Sequence, residues 1–325
     1  MNAPAQVVQE TAAPAAARPG RVEIALAVAA FAVLCVVALH TAPVLVEPDD
    51  FAYRASIVGI TDGHLLTLST AQLHALAHQL EPRPGQGNAL VAGPHLMIIP
   101  QWSRLASGRW ISEKDPGYPF LAAPFQFLGL IRLAPLFYGA LACIGLFAGA
   151  RRWLGRFGGA TAVGLFCSSG AAILFAWRDY MPTFTEASLI AAGAGSLLWA
   201  ALASESTARR RTVAGLLGFL AIEAAVFSRY TNVVVLGCAV LTVLVVLWRR
   251  PGLLPPRAAW WWIGSAVVFG AGLGLFDTLV YGGPLRSGYR PGEIRFSLSA
   301  ILPNLRLMPS HLIEAMPMPC SGWSR

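Results

Sequence analysis

Seven stretches of this chain, over residues 22–39, 133–150, 158–177, 185–202, 212–227, 230–248 and 260–280, hold almost nothing but apolar side chains. A helix rises about 1.5 Å per residue, so roughly 20 residues cross the ~30 Å of hydrocarbon in a bilayer. The runs are continuous and lack the alternation of a barrel wall, and unpaired backbone is costly in lipid, so they read as helices. Composition agrees: hydrophobic residues make up 56% and charged residues 12% of the chain, against about 25% charged in an ordinary globular domain. The expected fold is all-α, a polytopic transmembrane helix bundle of about seven spans with a long first loop containing short helices.

Basic residues then orient the bundle. Arg151, Arg152 and Arg156 follow one run, Arg209, Arg210 and Arg211 another, and Arg249, Arg250 and Arg257 a third, whereas the alternate short loops carry only Arg178 and Arg229. By the positive-inside rule the triplet-bearing loops are cytoplasmic. Arg18 and Arg21 precede the first run, which reads as an uncleaved anchor with a cytoplasmic N-terminus. The net charge of +8 is dispersed between apolar runs and forms no phosphate-binding stripe, so nucleic acid is not an expected partner. The expected localisation is multi-pass in the plasma membrane.

The organisation that follows is a disordered cytoplasmic tail over 1–21, a transmembrane domain over 22–281 with an extracytoplasmic loop at 41–118, and a segment at 282–325 that is either extracytoplasmic or truncated. Residues 119–130 are apolar but short and interrupted by Pro124, which predicts a re-entrant or interfacial helix, with Arg132 snorkelling at its end. A short helix is expected over Ala71–Leu80, and no further span after Tyr281. Gly270, Gly272 and Gly274 read as close-packing points between helices.

The orientation brings polar residues far apart in sequence to one side. Asp49 and Asp50 follow the first span, and adjacent carboxylates need cations or donors to stay ionised. On a helix they diverge by about 100°, so one faces a substrate while the other is held by neighbours; the plainer reading is a helix cap. Lys114, the only lysine, stands in Ser112-Glu113-Lys114-Asp115-Pro116-Gly117-Tyr118-Pro119. A compact ammonium beside a Pro-Gly turn suits a phosphate, and an interfacial anchor is the alternative. Arg178, Asp179 and Tyr180 close one outward turn and Arg229, Tyr230, Thr231 and Asn232 another; one arginine suits a lipid-linked phosphate while the other forms an internal ion pair.

Within the spans, Glu186, Glu223 and Asp277 each require a partner or a polar cavity, and Glu223 reads as one half of a structural ion pair. His74 and His78 share an i, i+4 spacing with no third ligand, so no cofactor is assigned and a divalent metal stays open. Gly85-Gln86-Gly87 reads as a flexible turn. The five cysteines, Cys35, Cys143, Cys167, Cys238 and Cys320, read as small core residues.

In the order of these features the chain resembles membrane glycosyltransferases of the GT-C fold class, which include protein O-mannosyltransferases and lipid A aminoarabinose transferases. The resemblance covers about residues 22–290 and rests on Asp49-Asp50, on Lys114-Asp115-Pro116-Gly117-Tyr118-Pro119, on Arg229-Tyr230-Thr231-Asn232 and on Gly282-Gly283-Pro284-Leu285. It implies that a sugar moves from a polyprenyl-phosphate donor in the outer leaflet to the hydroxyl of a glycan, lipid or protein acceptor. Carried over, Asp49 is the base and Asp50 its support; Lys114, Arg178 and Arg229 stabilise the departing phosphate, and Asp115, Tyr118, Asp179 and Tyr230 complete the binding set. A single inverting displacement is implied. This chain carries Asp-Asp where many members carry Asp-Glu, and the run Met316-Pro317-Met318-Pro319-Cys320 reads as a truncated ending. The competing expectation is a transporter or lipid flippase whose path is lined by Glu186, Glu223 and Asp277.

Overall fold

The computed structural model describes residues 19–43, 47–64, 66–79, 92–93, 96–97, 101–105, 107–250, 252–284, 286, 288, 299 and 301–315. Residues 1–18 of the expected tail, the Gly85-Gln86-Gly87 turn, Leu285, the 316–325 ending and the His78 side chain lie outside the described residues.

The architecture is an all-α polytopic bundle. Six helical segments are long and apolar enough to cross a bilayer: Arg21–His40, Ile131–Leu154, Thr183–Leu202, Ala208–Ser228, Tyr230–Arg249 and Pro256–Tyr281. In chain order, α1 (Arg21–His40) leads to α2 (Pro48–Thr61), strand β1 (Thr67–Leu68) and α3 (Thr70–Gln79). Short strands β2 (Ala92–Gly93), β3 (Leu96–Met97), β4 (Trp102–Arg104) and β5 (Trp110–Ser112) precede the short helix α4 (Gly117–Phe127). Then come α5 (Ala134–Leu154), α6 (Gly158–Ser168), α7 (Gly170–Phe175), α8 (Thr183–Leu202), α9 (Ala208–Ser228), α10 (Val233–Arg249), α11 (Pro256–Tyr281) and α12 (Ile301–Ala315).

The seventh apolar run, residues 158–177, is not one helix. Ser169 adopts extended backbone and its hydroxyl accepts from the Ala172 amide, so it ends α6 and caps α7. A serine that bonds local backbone offers the chain an alternative to continuous helix, which hydropathy does not register.

Small residues set how the helices meet. A Cβ on Gly195 would lie 2.2 Å from the Gly145 carbonyl, and one on Gly149 would lie 2.4 Å from the Gly195 carbonyl oxygen. The backbones of α5 and α8 therefore touch through a glycine four residues from the next, the small-residue spacing that lets helices approach in lipid. On α11, by contrast, among the described residues a Cβ at Gly270 or Gly272 would meet nothing within 4 Å, and at Gly274 only Pro284 at 3.7 Å. The expectation that these three glycines join helices is thus overturned; α11 instead packs on α9 through Trp262, whose Nε1 donates to the Thr212 carbonyl at 2.9 Å. Cys143 and Cys167 place their sulfurs 3.8 Å apart, joining α5 to α6 within the core that includes Leu34, Leu136 and Phe184.

The long first loop is a folded cap. β1, β5 and β4 form a small antiparallel sheet with Thr67 opposite Ile111 and Trp102 opposite Ser112. Its core gathers Leu68, Leu73, Leu76 and Trp102 with Ala52 and Val58 of α2. Strands of two or three residues are too short for a period-two pattern, so only the helices of this loop were expected. Helix α12 follows the last span, and its 15 residues fall short of the ~20 needed to cross, in line with the expectation of no further span after Tyr281.

The bundle has two chemically different ends. At one, Arg151 and Arg156 pair with the buried Glu23 at 2.9 and 3.7 Å, Arg152 pairs with Glu205, and Arg211 donates to the Ala200, Ala201 and Leu253 carbonyls. At the other, Arg132 donates to the Ala38 and Thr41 carbonyls at 3.1 and 2.7 Å, closing α1 against the start of α5. The expected snorkel of Arg132 is therefore a backbone clasp. The candidate site lies at this second end.

Candidate functional site

Helix α2 begins at Pro48, whose fixed φ suits the first helical position. Glu47 and Asp50 form a capping box, with the Glu47 amide donating to Asp50 Oδ2 at 3.1 Å. Asp50 is 1% exposed. Its Oδ2 also takes Arg178 Nη2 at 2.5 Å, and Arg178 Nη1 lies 3.3 Å from Glu47 Oε1. Burial works against the Arg178 charge, yet the Asp50 and Glu47 carboxylates outweigh it and hold the guanidinium above its ordinary range. Cap and ion-pair readings of Asp50 thus coexist in one carboxylate.

Asp49, one residue earlier on the helix, turns elsewhere. Its Oδ1 receives Lys114 Nζ at 3.0 Å and Gln101 Nε2 at 2.8 Å, and its side chain is 27% exposed. Lys114 is held at the end of β5, where its amide donates to Ser112 Oγ at 3.1 Å and the Glu113 amide donates to the Gln101 carbonyl at 2.8 Å. Gln101 sits at φ 62°, a left-handed conformation rare for a residue with a Cβ. No local pattern singles out Gln101, which lies 52 residues from its partner. A cleft lined in part by Lys114, Ser56, His64, Trp102 and Tyr281 opens beside the pair.

The turn after Lys114 docks on α9. A Cβ on Gly117 would lie 2.3 Å from the Phe227 carbonyl carbon and 2.5 Å from the Ser228 nitrogen, so only glycine allows this approach. The contact lets Asp115 Oδ2 accept from the Tyr230 amide at 3.2 Å. Burial lifts the Asp115 carboxyl to about 7, with the Tyr230 amide pulling the other way. Arg229 Nε lies 3.3 Å from Glu186 Oε1, and Asn232 Nδ2 donates to Glu186 Oε2 at 3.4 Å. The Tyr230 hydroxyl donates to Asp277 Oδ1 at 2.9 Å.

A third group joins α4 to the turn before α8. The Tyr118 hydroxyl donates to the Asp179 carbonyl, and its ring meets Tyr53 edge-on with centroids 5.8 Å apart. Burial pushes the Asp179 carboxyl to about 6, opposed by Arg132 with Nε 4.0 Å away. Arg54 stacks over the Tyr180 ring at 5.6 Å and keeps a buried Nε without a partner.

The nine candidate residues therefore sit at one end of the bundle in three adjoining groups, with Asp49 and Lys114 in direct contact. Both Arg178 and Arg229 are in ion pairs, because buried carboxylates stand within reach of each. Glu223 differs from expectation. Its Oε1 accepts from Ser265 Oγ at 2.9 Å, and among the described residues no cation lies within ion-pair distance. Among the described residues no group of three His, Cys, Asp or Glu side chains is placed to hold a metal ion.

Fold and helix lengths define the class: a multi-pass, all-helical integral membrane protein with a folded polar cap at one end. No protein-family model, curated protein or solved structure matches the chain.

Proposed function

We propose that this chain is a membrane glycosyltransferase that moves a sugar from a polyprenyl-phosphate donor to an acceptor hydroxyl at the extracytoplasmic face. The observation that carries the reading is the 3.0 Å contact between Asp49 and the chain's single lysine, beside Arg178 and Arg229. The arginine triplets at the opposite loops support the assignment of sides.

Chemically, Asp49 takes the proton of the acceptor hydroxyl as its oxygen attacks the anomeric carbon. The bond from that carbon to the phosphate oxygen breaks, and the lipid phosphate leaves with the electron pair. Lys114 meets the charge that develops there. Both donors to Asp49 converge on Oδ1, which leaves Oδ2 for the acceptor. A carboxylate paired with an ammonium is a weak base, so the arriving phosphate has a second effect: it draws Lys114 off Asp49 and unmasks the base. Asp50, buried under Arg178, holds the start of α2 and does not touch substrate. Under the rival transporter reading, Glu186, Glu223 and Asp277 would line the path; here they pair with Arg229, Ser265 and Tyr230 respectively.

The test is release of polyprenyl phosphate from polyprenyl-phosphate sugars by the purified protein, supplied with a mixed acceptor extract. Asp49→Asn should abolish release while keeping the elution profile of the parent and losing only about 1 kcal/mol of stability. Undiminished release by a folded Asp49→Asn protein sinks the reading.

A further inference from the structure

The arginine triplet before α9 is divided in its duties. Arg211 is buried and spends its guanidinium on the Ala200, Ala201 and Leu253 carbonyls, closing the ends of α8 and α11 around it. Arg209 and Arg210 are exposed, and among the described residues no acid stands within ion-pair distance of either. The nearest acid in sequence, Glu205, is taken by Arg152.

These two guanidiniums line a shallow, open groove with Trp199, Thr207, Val213 and Leu217. Its floor is the first turn of a 21-residue helix, where Thr207 Oγ1 accepts from the Arg210 amide at 3.4 Å. The positive end of the helix dipole adds to the two side-chain charges. Below them the groove continues onto apolar surface, with Val213 49% and Leu217 58% exposed along one helix face. Cations above, an indole at the boundary and an apolar track beneath match the order of parts in a phospholipid.

We infer that this groove binds an anionic phospholipid, with its phosphate on Arg209 and Arg210, its glycerol region against Trp199 and one acyl chain along Val213 and Leu217. The site is at the opposite end of the bundle from Asp49 and does not depend on the glycosyltransferase reading.

Native mass spectrometry of the full chain in a neutral detergent tests it, with phosphatidylglycerol and phosphatidylcholine of identical chains as probes. The expected preference for phosphatidylglycerol is about 30-fold, roughly 2 kcal/mol, from two arginines worth about 1 kcal/mol each. Arg209→Gln with Arg210→Gln should bring the two lipids to parity. Arg249→Gln with Arg250→Gln removes the same charge from another loop at that end and should leave the preference intact. Loss of preference in both double variants would reassign it to general surface charge, and survival in the first would place the lipid elsewhere. Displacement of the lipid by equimolar glycerol phosphate would mark a free-phosphate site. Each of these three results overturns the inference.

Discussion

Replacing Asp50 by Asn or Asp49 by Asn removes one negative charge from either of two adjacent residues, yet their surroundings require losses of different size. Asp50 is 1% and Arg178 8% exposed, and their contact is 2.5 Å. Breaking a buried pair by neutralising one partner costs about 3–5 kcal/mol, because the other charge stays desolvated. Two features draw the value to the lower end. Glu47 remains 3.3 Å from Arg178 with a side chain 51% exposed, and an asparagine oxygen still accepts from the Glu47 amide. A loss of ~3 kcal/mol is expected for Asp50→Asn. For Asp49→Asn, Gln101 keeps an acceptor and the site is open to water, so about 1 kcal/mol is expected.

Equilibrium unfolding in mixed micelles with increasing denaturing detergent measures both. Adding Arg178→Gln to Asp50→Asn removes the stranded charge, so the double variant should be more stable than the sum of the single losses by ~2 kcal/mol. Equal stability of the Asp49→Asn and Asp50→Asn proteins, or strict additivity in the double variant, refutes the assignment of Asp50 as the buried anchor.

Two further outcomes bear on the neighbouring groups. Gly117→Ala would place a Cβ 2.3 Å from the Phe227 carbonyl carbon, so it should cost about 2 kcal/mol by forcing the turn off α9, while Gly129→Ala, where no atom lies within 4 Å, tests the left-handed backbone alone; equal melting of parent and Gly117→Ala protein would show that the turn does not dock there. The raised carboxyls of Asp115, about 7, and Asp179, about 6, are protonated more readily in the folded chain than at the ordinary 3.8. Their stabilising effect is full below pH ~4 and is lost as pH rises through 6 and 7, by roughly 2–4 kcal/mol for Asp115. Unfolding midpoints at pH 5 and pH 8 should differ in that direction, and Asp115→Asn should flatten most of the slope; an unchanged slope in that variant counts against the burial of Asp115.

Much of this fold is legible in the sequence because lipid imposes a simple rule, that each spanning run must be apolar for about 20 residues. The rule also fails in identifiable places. It misses the Ser169 break, since a hydroxyl that bonds its own backbone barely lowers hydropathy. It misassigns Gly270 and Gly272, because a glycine looks alike whether a helix faces it or not, whereas Gly145 and Gly195 meet backbone to backbone. At the candidate site, Asp49 and Lys114 are visible as a lone acidic pair and a lone lysine in a long loop. Gln101 and the buried Glu23 are not, since each gains meaning only from partners 52 and 128 residues away.

Charge balance at the polar end links these groups. Asp49, Asp50 and Glu186 each neutralise a cation, Lys114, Arg178 and Arg229 respectively. Under the proposed function, an anionic lipid arriving there would either displace a carboxylate or meet one that has already given up its charge. Asp50 cannot be displaced without stranding Arg178 in the core, and Glu186 is also tied by Asn232. Asp49 is the most exposed of the three. The exchange of partners therefore falls on Lys114, the single flexible ammonium of the cluster, and its departure leaves Asp49 with Gln101 alone. Asp115 adjoins that lysine and is half-protonated near pH 7, so it adds less repulsion to the incoming anion than an ordinary aspartate would. Under the proposed function, the same burial that makes this end costlier to fold as pH rises would also ease the approach of an anion.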